Sequence, residues 1–173
     1  TQNAALVAGG FDGPAATATT EEYNGTVWAA QNALITARGY IGGNGTQNAA
    51  VGYGGDPGNV TCTEEYDGTS WTAGGNLILG KQRISGDGTQ NATLSAGGYS
   101  PASYRTCVEN YNGSSWSTGT ALPASTGNAG LAGTQNAAVI FGGINPSYLD
   151  GTCKWDGTAW SVSSDLPFAF GYM

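Results

Sequence analysis

The tetrapeptide Thr-Gln-Asn-Ala occurs four times in this chain, beginning at Thr1, Thr46, Thr89 and Thr134, and Gly-Gly begins eight residues after each of these threonines. The resulting period of 43 to 45 residues is too short for an independent domain, so each copy predicts one supersecondary unit that stacks on its neighbours. We therefore interpret residues 1–173 as one domain built from an array, with repeats at 1–45, 46–88, 89–133 and 134–173.

Each repeat carries three further residues in a fixed order after Gly-Gly: an aromatic residue, a tryptophan five positions later, and a leucine six positions after the tryptophan. A recurring tryptophan can bury enough area to contribute up to about 5 kcal/mol. A single binding site would not need four copies, so we predict that the aromatic pairs form the core and that the leucines seal one repeat to the next. The aromatic pairs are Tyr23 with Trp28, Tyr66 with Trp71, Tyr111 with Trp116, and Trp155 with Trp160; the leucines are Leu34, Leu77, Leu122 and Leu166.

The turn residues predict strands. Asn-Gly or Asp-Gly stands between the aromatic residue and the tryptophan of every repeat, as at Asn24-Gly25 and Asp67-Gly68, and this dipeptide is a strong signal for a β-hairpin with a type I′ turn. The Gly-Thr-Gln-Asn segments predict a second hairpin, which gives four strands in each repeat. No window shows helical spacing of apolar residues, and 30 of the 173 residues are glycine, which disfavours helices. The chain is predicted to be all-β.

Four-stranded units of this length are typical of β-propeller blades. The order Gly-Gly, Tyr, Trp and then a segment such as residues 34–39 resembles the kelch repeat in all four copies. The wording Gly-Thr-Gln-Asn-Ala-Ala followed by Glu-Glu-Tyr-Asp-Gly-Thr-Ser-Trp is similar to the kelch-like repeats of virion-associated proteins in marine tailed phages and related environmental sequences. The resemblance implies a four-bladed kelch-like β-propeller with four antiparallel strands per blade, although kelch rings usually contain more than four blades.

The two ends of the sequence bear on closure of such a ring. Residues 166–173 align without gaps with residues 34–41 and stop before a further Thr-Gln-Asn. We expect residues 168–173 to pair with residues 2–8, so that a C-terminal strand completes the N-terminal blade and covers the sheet edges. The expected product is a monomeric ring. Exchange of this strand between chains, which would give a larger symmetric oligomer, is the alternative.

The three cysteines are predicted to be free thiols. Cys62 and Cys107 lie four residues before the aromatic residues of their repeats, and Cys153 lies two before Trp155. Packed sheets are about 10 Å apart, which exceeds the distance of about 7 Å that a disulfide can span between Cα atoms. By strand alternation we expect Cys62 and Cys107 to be buried. Free thiols favour folding in a reducing cytosol, and the resemblance then implies localisation in a virion or an extracellular particle.

Charge and composition argue against several functions. The net charge is −7, and the five basic residues form no run, so nucleic-acid binding is not expected. No apolar stretch approaches 18 residues, and no membrane span is expected. The sequence contains no histidine, which excludes Ser-His-Asp and Cys-His catalysis and histidine metal sites. The adjacent carboxylates Glu21-Glu22 and Glu64-Glu65 point to opposite faces of a strand. We predict neither catalysis, cofactor nor metal.

Variation in length is confined to one loop per repeat. The distance from the second glycine of Gly-Gly to the aromatic residue is 13, 11, 13 and 12 residues, whereas every other complete interval is constant. This loop joins strands two and three and lies on one face of the array. Variable loops on a rigid scaffold commonly carry binding residues, and Tyr and Arg are enriched at binding hot spots. The candidate ligand-binding residues are Tyr99, Tyr104, Arg105, Tyr148, Phe11 and Asp56.

These predictions leave alternatives open. The loop aromatics either contact a ligand or pack over the end of the ring, and the equivalent residues Arg38 and Lys81 either line a central opening or cover loop carbonyls. The leading hypothesis is a non-enzymatic binding or adhesion module that recognises a protein or a surface glycan through the variable face. The alternative is a purely structural module that decorates or assembles a particle through its uniform Thr-Gln-Asn face.

Overall fold

The structure, a computed structural model, describes residues 2–171, and its regular elements in that range are all strands. In chain order they are β1 (Ala5–Ala8), β2 (Phe11–Asp12), β3 (Ala15–Ala16), β4 (Thr20–Tyr23), β5 (Trp28–Gln31), β6 (Gly42–Thr46), β7 (Ala49–Tyr53), β8 (Thr63–Tyr66), β9 (Trp71–Ala73), β10 (Ser85–Thr89), β11 (Ala92–Ala96), β12 (Tyr99–Ser100), β13 (Ser103–Tyr104), β14 (Val108–Tyr111), β15 (Trp116–Thr118), β16 (Gly130–Thr134), β17 (Ala137–Phe141), β18 (Thr152–Trp155) and β19 (Trp160–Val162). The prediction of an all-β chain is confirmed.

Four larger sheets correspond to the four repeats, except that the first strand of the second, third and fourth sheets lies mainly at the end of the repeat before. The second, third and fourth sheets each contain four antiparallel strands, in the orders β6-β7-β8-β9, β10-β11-β14-β15 and β16-β17-β18-β19. The first sheet has only three strands, β1-β4-β5. The variable loops of the first and third repeats form the small hairpins β2-β3 and β12-β13. The first strands of the second, third and fourth sheets, β6, β10 and β16, which we call the inner strands, pack side by side, with β10 between β6 and β16.

The hairpins predicted from Asn-Gly and Asp-Gly are present, but their loops are longer than a two-residue turn. In the second repeat Tyr66 pairs directly with Trp71, so the loop contains four residues. Asp67 uses its carboxylate in place of a second positive φ: its Oδ1 accepts hydrogen bonds from the amides of Thr69 and Ser70, both at 2.8 Å. These bonds hold the pKa of Asp67 below its usual value. A side-chain turn of this kind is characteristic of Asp and Asn.

The core lies between successive sheets. Tyr66, Trp71, Tyr111, Trp116 and Trp155 are buried. The indole Nε1 of Trp71 donates to Thr20 Oγ1 of the preceding sheet at 3.0 Å, and Trp116 donates to Thr63 Oγ1 at 2.9 Å. The aromatic pairs of the second and third repeats are therefore packed against the sheet before them.

The first and last aromatic pairs depart from the core expectation. Trp28 is 50% exposed, and Tyr23 and Trp160 are only partly buried. Trp28 is exposed because no sheet precedes the first one in the described part of the chain. Of the four leucines, Leu34, Leu77 and Leu122 are buried, whereas Leu166 of the last repeat is only partly buried.

The glutamine of Thr-Gln-Asn joins adjacent sheets. Gln90 Nε2 donates to the carbonyl oxygens of Ala50 and Tyr66 in the preceding sheet, at 3.0 and 2.8 Å. Gln47 and Gln135 make the equivalent pairs of hydrogen bonds to their own preceding sheets. Gln2, in the first repeat, is exposed. The constant turns of the array thus hold neighbouring repeats together.

The C-terminal segment does not pair with β1 in the described residues. Phe170 forms an isolated bridge with Leu149 in its own repeat, and its carbonyl accepts from the amide of Gly143 at 2.6 Å. β1 pairs with β4 alone. Residues 168–171 are equivalent to the segment that precedes an inner strand, which explains why they do not form that strand. Residues 172 and 173 of the expected pairing lie outside the described part.

All three cysteines are free and partly buried, so the expectation of full burial for Cys62 and Cys107 is wrong. Cys62 lies at the end of a strand rather than inside it, where Arg38 Nη1 donates to its Sγ at 2.8 Å. Burial nevertheless raises the pKa of the Cys62 and Cys153 thiols.

Candidate ligand-binding face

Segments that precede the inner strands meet the variable loops on one face of the array. Tyr40, Arg83 and Asn128 occupy equivalent positions in successive repeats and are linked through their backbones. The amide of Arg83 donates to the Tyr40 carbonyl, and the amide of Asn128 donates to the Arg83 carbonyl, both at 3.0 Å. Their φ angles are 51°, 55° and 50°, a left-handed conformation that is uncommon outside glycine. These three residues form a row across the face.

Arg83 lies between two aromatic rings, those of Tyr40 and Tyr99. Its guanidinium carbon is 5.3 Å from the ring centroid of Tyr40 and 5.6 Å from that of Tyr99, within the range of cation–π attraction. Phe11 extends the row on one side, with its ring 5.0 Å from Tyr40. Tyr104 extends it on the other side, 5.2 Å from Tyr99 and near-perpendicular to it. The face therefore carries a continuous row of four aromatic side chains and one arginine, which we call the Arg83 row. It consists of Phe11, Tyr40, Arg83, Tyr99 and Tyr104.

A cleft of about 570 Å³ adjoins the Arg83 row between the third and fourth repeats. Arg83, Tyr99 and Tyr104 line one side of it, while Ser125 and Asn145 supply hydroxyl and amide groups. The Asn145 amide donates to Ser125 Oγ at 2.6 Å, which fixes the orientation of both. A concave site with aromatic surface and a few fixed polar groups is the usual form of a ligand pocket.

The structure brings two of the six predicted site residues to this cleft, and the other four lie outside its lining. Tyr99 and Tyr104 line the cleft. Arg105 is bridged to Thr126 through its backbone. Tyr148 is 58% exposed in the fourth repeat, and Asp56 in the second repeat accepts a hydrogen bond from the Gln82 amide at 3.2 Å.

Several loop aromatics also have a packing role. The rings of Phe11, Tyr104 and Tyr148 cover the glycines at equivalent positions in three repeats, so closely that an added Cβ would overlap or crowd them; these glycines are Gly39, Gly127 and Gly171, respectively. The second repeat has Gln82 at this position and Asp56 in its loop, and here a hydrogen bond replaces the aromatic contact. These three aromatics therefore pack over the end of the array, which is one of the two predicted alternatives. Phe11 and Tyr148 nevertheless remain exposed.

Sequence reasoning missed Tyr40 and Arg83 as site residues. Both lie in a segment of constant length, whereas the site prediction rested on variation in loop length alone. The usable signal was the residue type, because Tyr40, Arg83 and Asn128 differ strongly at one aligned position.

The buried basic residues Arg38 and Lys81 belong to the scaffold. Arg38 Nη2 lies 3.1 Å from Glu64 Oε1, and Lys81 Nζ lies 3.2 Å from Glu109 Oε1. Arg38 also donates to the carbonyls of Gly54 and Cys62, at 2.9 and 2.7 Å. The alternative in which Arg38 covers loop carbonyls is therefore the one that the structure shows.

Residues 2–171 contain no group of three or more histidine, cysteine, aspartate or glutamate side chains arranged to hold a metal ion. The same range includes no helix of the length and apolar character needed to cross a membrane. A scan against protein-family models and a search of the curated proteins found no match to this chain.

Proposed function

We propose that this protein is a non-enzymatic binding module that recognises a surface glycan or a protein through the face that carries the Arg83 row. The observation that supports this most strongly is the position of Arg83 between Tyr40 and Tyr99 beside the 570 Å³ cleft. Aromatic rings offer apolar stacking surface, and Arg83, Ser125 and Asn145 offer directional hydrogen bonds. Both ligand classes are bound by such combinations.

In this proposal the four sheets are blades of a kelch-like β-propeller array. Support comes from the order of the inner strands, in which β10 packs between β6 and β16, and from the packing of the second and third aromatic pairs on the preceding sheet. A rigid set of blades holds the variable loops on one face. Because the sequence of its repeats is similar to that of virion-associated proteins of marine tailed phages, we propose that the protein is a virion-associated component.

A purely structural role is the second candidate. The observation that favours it is the inward use of the Thr-Gln-Asn glutamines, which join sheets rather than face a ligand. Such a protein would decorate or assemble a particle through its uniform Thr-Gln-Asn face and would bind no ligand on the loop face.

Glycan-array binding and protein pull-down with paired variants separate these candidates. Tyr99→Ala and Arg83→Ala are expected to weaken binding to any captured ligand at least about tenfold, as is typical of hot-spot residues. Val162→Ala is the matched control, because this side chain is 74% exposed and lies on β19, outside the Arg83 row. Ligand binding that is unaffected by both cleft variants would contradict the proposal.

A further inference from the structure

The cleft beside the Arg83 row carries a cation and no acid. Its eight lining residues include Arg83 and neither aspartate nor glutamate. The third variable loop, residues 99–105, contributes part of this lining and carries Arg105 without any acid. Each of the other three loops, at residues 11–16, 56–60 and 144–150, carries one aspartate; these are Asp12, Asp56 and Asp150. The cleft is therefore basic, although the chain has a net charge of −7.

The side chain of Arg83 has no acidic partner. In the described part of the chain the ion pairs are those of Arg38 with Glu64 and of Lys81 with Glu109. The guanidinium of Arg83 makes neither an ion pair nor a hydrogen bond within residues 2–171, and its Nε is buried without an acceptor. A guanidinium has five N–H donors, and buried donors are normally paired. Arg83 thus brings unused hydrogen-bonding capacity to the cleft.

The framework of the array does not account for this arginine. The two buried cations that lead into sheets each accompany a buried glutamate on the third strand of that sheet. In the fourth sheet the third strand carries Cys153 at the aligned position, and the segment leading into it carries Pro123 and Thr126, which offer neither an amide hydrogen nor a cation. Framework cations therefore occur together with an acid. The acid that would complement Arg83 is absent from the described residues.

The backbone of Arg83 is fixed on both sides. Its amide donates to the Tyr40 carbonyl and its carbonyl accepts from the Asn128 amide, both at 3.0 Å. The preceding residue, Gln82, exchanges two backbone hydrogen bonds with Tyr99, at 2.9 and 2.7 Å. The rings of Tyr40 and Tyr99 then restrict the guanidinium itself. A ligand that binds this arginine does not have to order its backbone, which lowers the entropic cost of association.

Ser125 and Asn145 complement a hydroxyl group. Asn145 Nδ2 donates to Ser125 Oγ at 2.6 Å, so the hydroxyl hydrogen of Ser125 is left to donate elsewhere. Asn145 Oδ1 accepts no hydrogen bond within residues 2–171. The pair thus presents one donor beside one acceptor, and a hydroxyl both donates and accepts on a single oxygen. An ionised carboxylate or phosphate oxygen only accepts and would leave Asn145 Oδ1 unpaired.

Tyr99 and Tyr104 add apolar surface to these polar groups. Both rings line the cleft, and their planes are inclined at 70°, so that a face and an edge are presented side by side. Tyrosine offers rigid contact area at a low entropic cost. The volume of about 570 Å³ is that of a site for a whole small molecule rather than for a single ion. The complement of the cleft is a ring that carries hydroxyls, an apolar face and a negative charge.

We propose that the cleft binds a carboxylated sugar residue of a surface glycan, a uronic acid or a sialic acid. Arg83 pairs with the carboxylate, and Ser125 and Asn145 bind a ring hydroxyl. Tyr99 and Tyr104 contact the apolar face of the ring. This inference rests on the proposed function and narrows its ligand to acidic glycans. The net negative charge of the chain does not oppose it, because exposed charges farther than about 8 Å from the cleft are largely screened at physiological ionic strength.

Matched glycans test the carboxylate directly. An array carries uronic-acid and sialic-acid oligosaccharides, each beside a twin whose carboxyl groups have been reduced to primary alcohols, so that the rest of the sugar is unchanged. The full chain is expected to bind carboxylated members, and the array shows which of the two sugar classes it prefers. Calorimetric titration with an oligogalacturonate or with sialyllactose, whichever class binds, then gives the Kd. We expect a Kd at least about tenfold higher for the reduced twin, because it lacks the charged acceptor.

Variants assign the effect to Arg83. Arg83→Gln is expected to raise the Kd for the carboxylated glycan at least about tenfold and to change the Kd for its reduced twin far less. Arg83→Lys keeps the charge without the planar fork and should cause a smaller loss. Lys154→Gln is the matched control, because it removes a positive charge from an exposed position on β18, outside the cleft, and should leave both Kd values unchanged. Circular dichroism verifies that the variants remain folded.

The outcomes separate this inference from the proposed function. Equal affinity for a carboxylated glycan and its twin would overturn the inference, as would equal effects of Arg83→Gln and Lys154→Gln. Binding of neutral glycans alone, or of a protein alone, would overturn it too. In each of these cases the proposed function stands if Tyr99→Ala still weakens the binding that is observed. If neither a glycan nor a protein is bound, both fail.

Discussion

Arg38 and Glu64 form an ion pair that is completely enclosed by the second sheet and the segment leading into it. Their side chains are 0% and 2% exposed, and Nη2 lies 3.1 Å from Oε1. The carboxylate also accepts hydrogen bonds from the amides of Ile35 and Thr36, at 2.7 and 3.2 Å. A buried charge with this many partners fixes one register between a loop and its sheet, because any other register leaves the charge unpaired.

Removing one partner of this pair should be strongly destabilising. We expect Arg38→Ala to lower the free energy of unfolding by about 3–5 kcal/mol, since it leaves Glu64 buried without its cation. Urea denaturation followed by circular dichroism measures the change. Glu21→Ala, at the aligned and exposed position, is the control and should change stability by less than about 0.5 kcal/mol. Equal losses for the two variants would contradict this account.

The glutamine contacts between sheets predict a smaller effect. Gln90→Ala leaves the carbonyls of Ala50 and Tyr66 without their donor, and we expect a loss of about 2 kcal/mol. Gln2→Ala changes the aligned residue, which is exposed, and should be nearly neutral. The same denaturation experiment compares the two. A neutral Gln90→Ala variant would show that water replaces the amide without cost.

The aromatic pairs allow a test of whether the first sheet is covered in solution. Trp71→Ala should cost about 3–5 kcal/mol, as expected for a large side chain removed from a core. Trp28, at the aligned position, is 50% exposed, so Trp28→Ala should cost about 1 kcal/mol or less. Similar losses at the two positions would mean that another sheet packs on Trp28, which is the arrangement of a closed ring.

The buried tyrosines predict alkaline unfolding. Burial, reinforced by hydrogen bonds to Glu22 and Glu65, raises the pKa of both Tyr66 and Tyr111 to about 12, whereas an unfolded tyrosine titrates near its ordinary pKa of 10.0. As the pH rises, the tyrosines of the unfolded state therefore lose their phenol protons before those of the folded state. The stability contributed by the neutral phenols is complete below about pH 10 and is lost as the pH rises towards 12.

Denaturation midpoints measured at intervals between pH 9 and pH 12 follow this loss directly, in steps of about half a unit. Tyr66→Phe and Tyr111→Phe should each flatten the decline, because phenylalanine has no proton to release. Tyr148→Phe is the control at an exposed tyrosine and should leave the slope unchanged. A decline that is identical in all variants would assign it to other groups.

The sequence predicted the strands because turn residues and spacings are local properties. Asn24-Gly25 and its equivalents marked the hairpins, and the runs of small apolar residues between Gly-Thr-Gln-Asn and Gly-Gly marked the strands that precede Gly-Gly. The free thiol of Cys62 followed from the distance between repeats. These features require no knowledge of which surfaces meet.

What the sequence did not predict depends on contacts between distant residues. The exposure of Trp28 could not be inferred, since its repeat is identical in pattern to those whose tryptophan is buried. The expected pairing of residues 168–173 with residues 2–8 overlooked that residues 34–41 precede an inner strand instead of forming one. The roles of Glu64 and Arg38, 26 residues apart, were visible only as a joint change of two positions across the repeats.

The pairing of Arg38 with Glu64 and of Lys81 with Glu109 means that the repeats are not interchangeable. If duplication or recombination placed the third repeat directly before the second sheet, Thr126 and Pro123 would face Glu64 and leave its charge stranded. Insertion of a repeat into such an array is therefore constrained. The segment that leads into the next sheet must carry a basic residue where that sheet carries the buried glutamate.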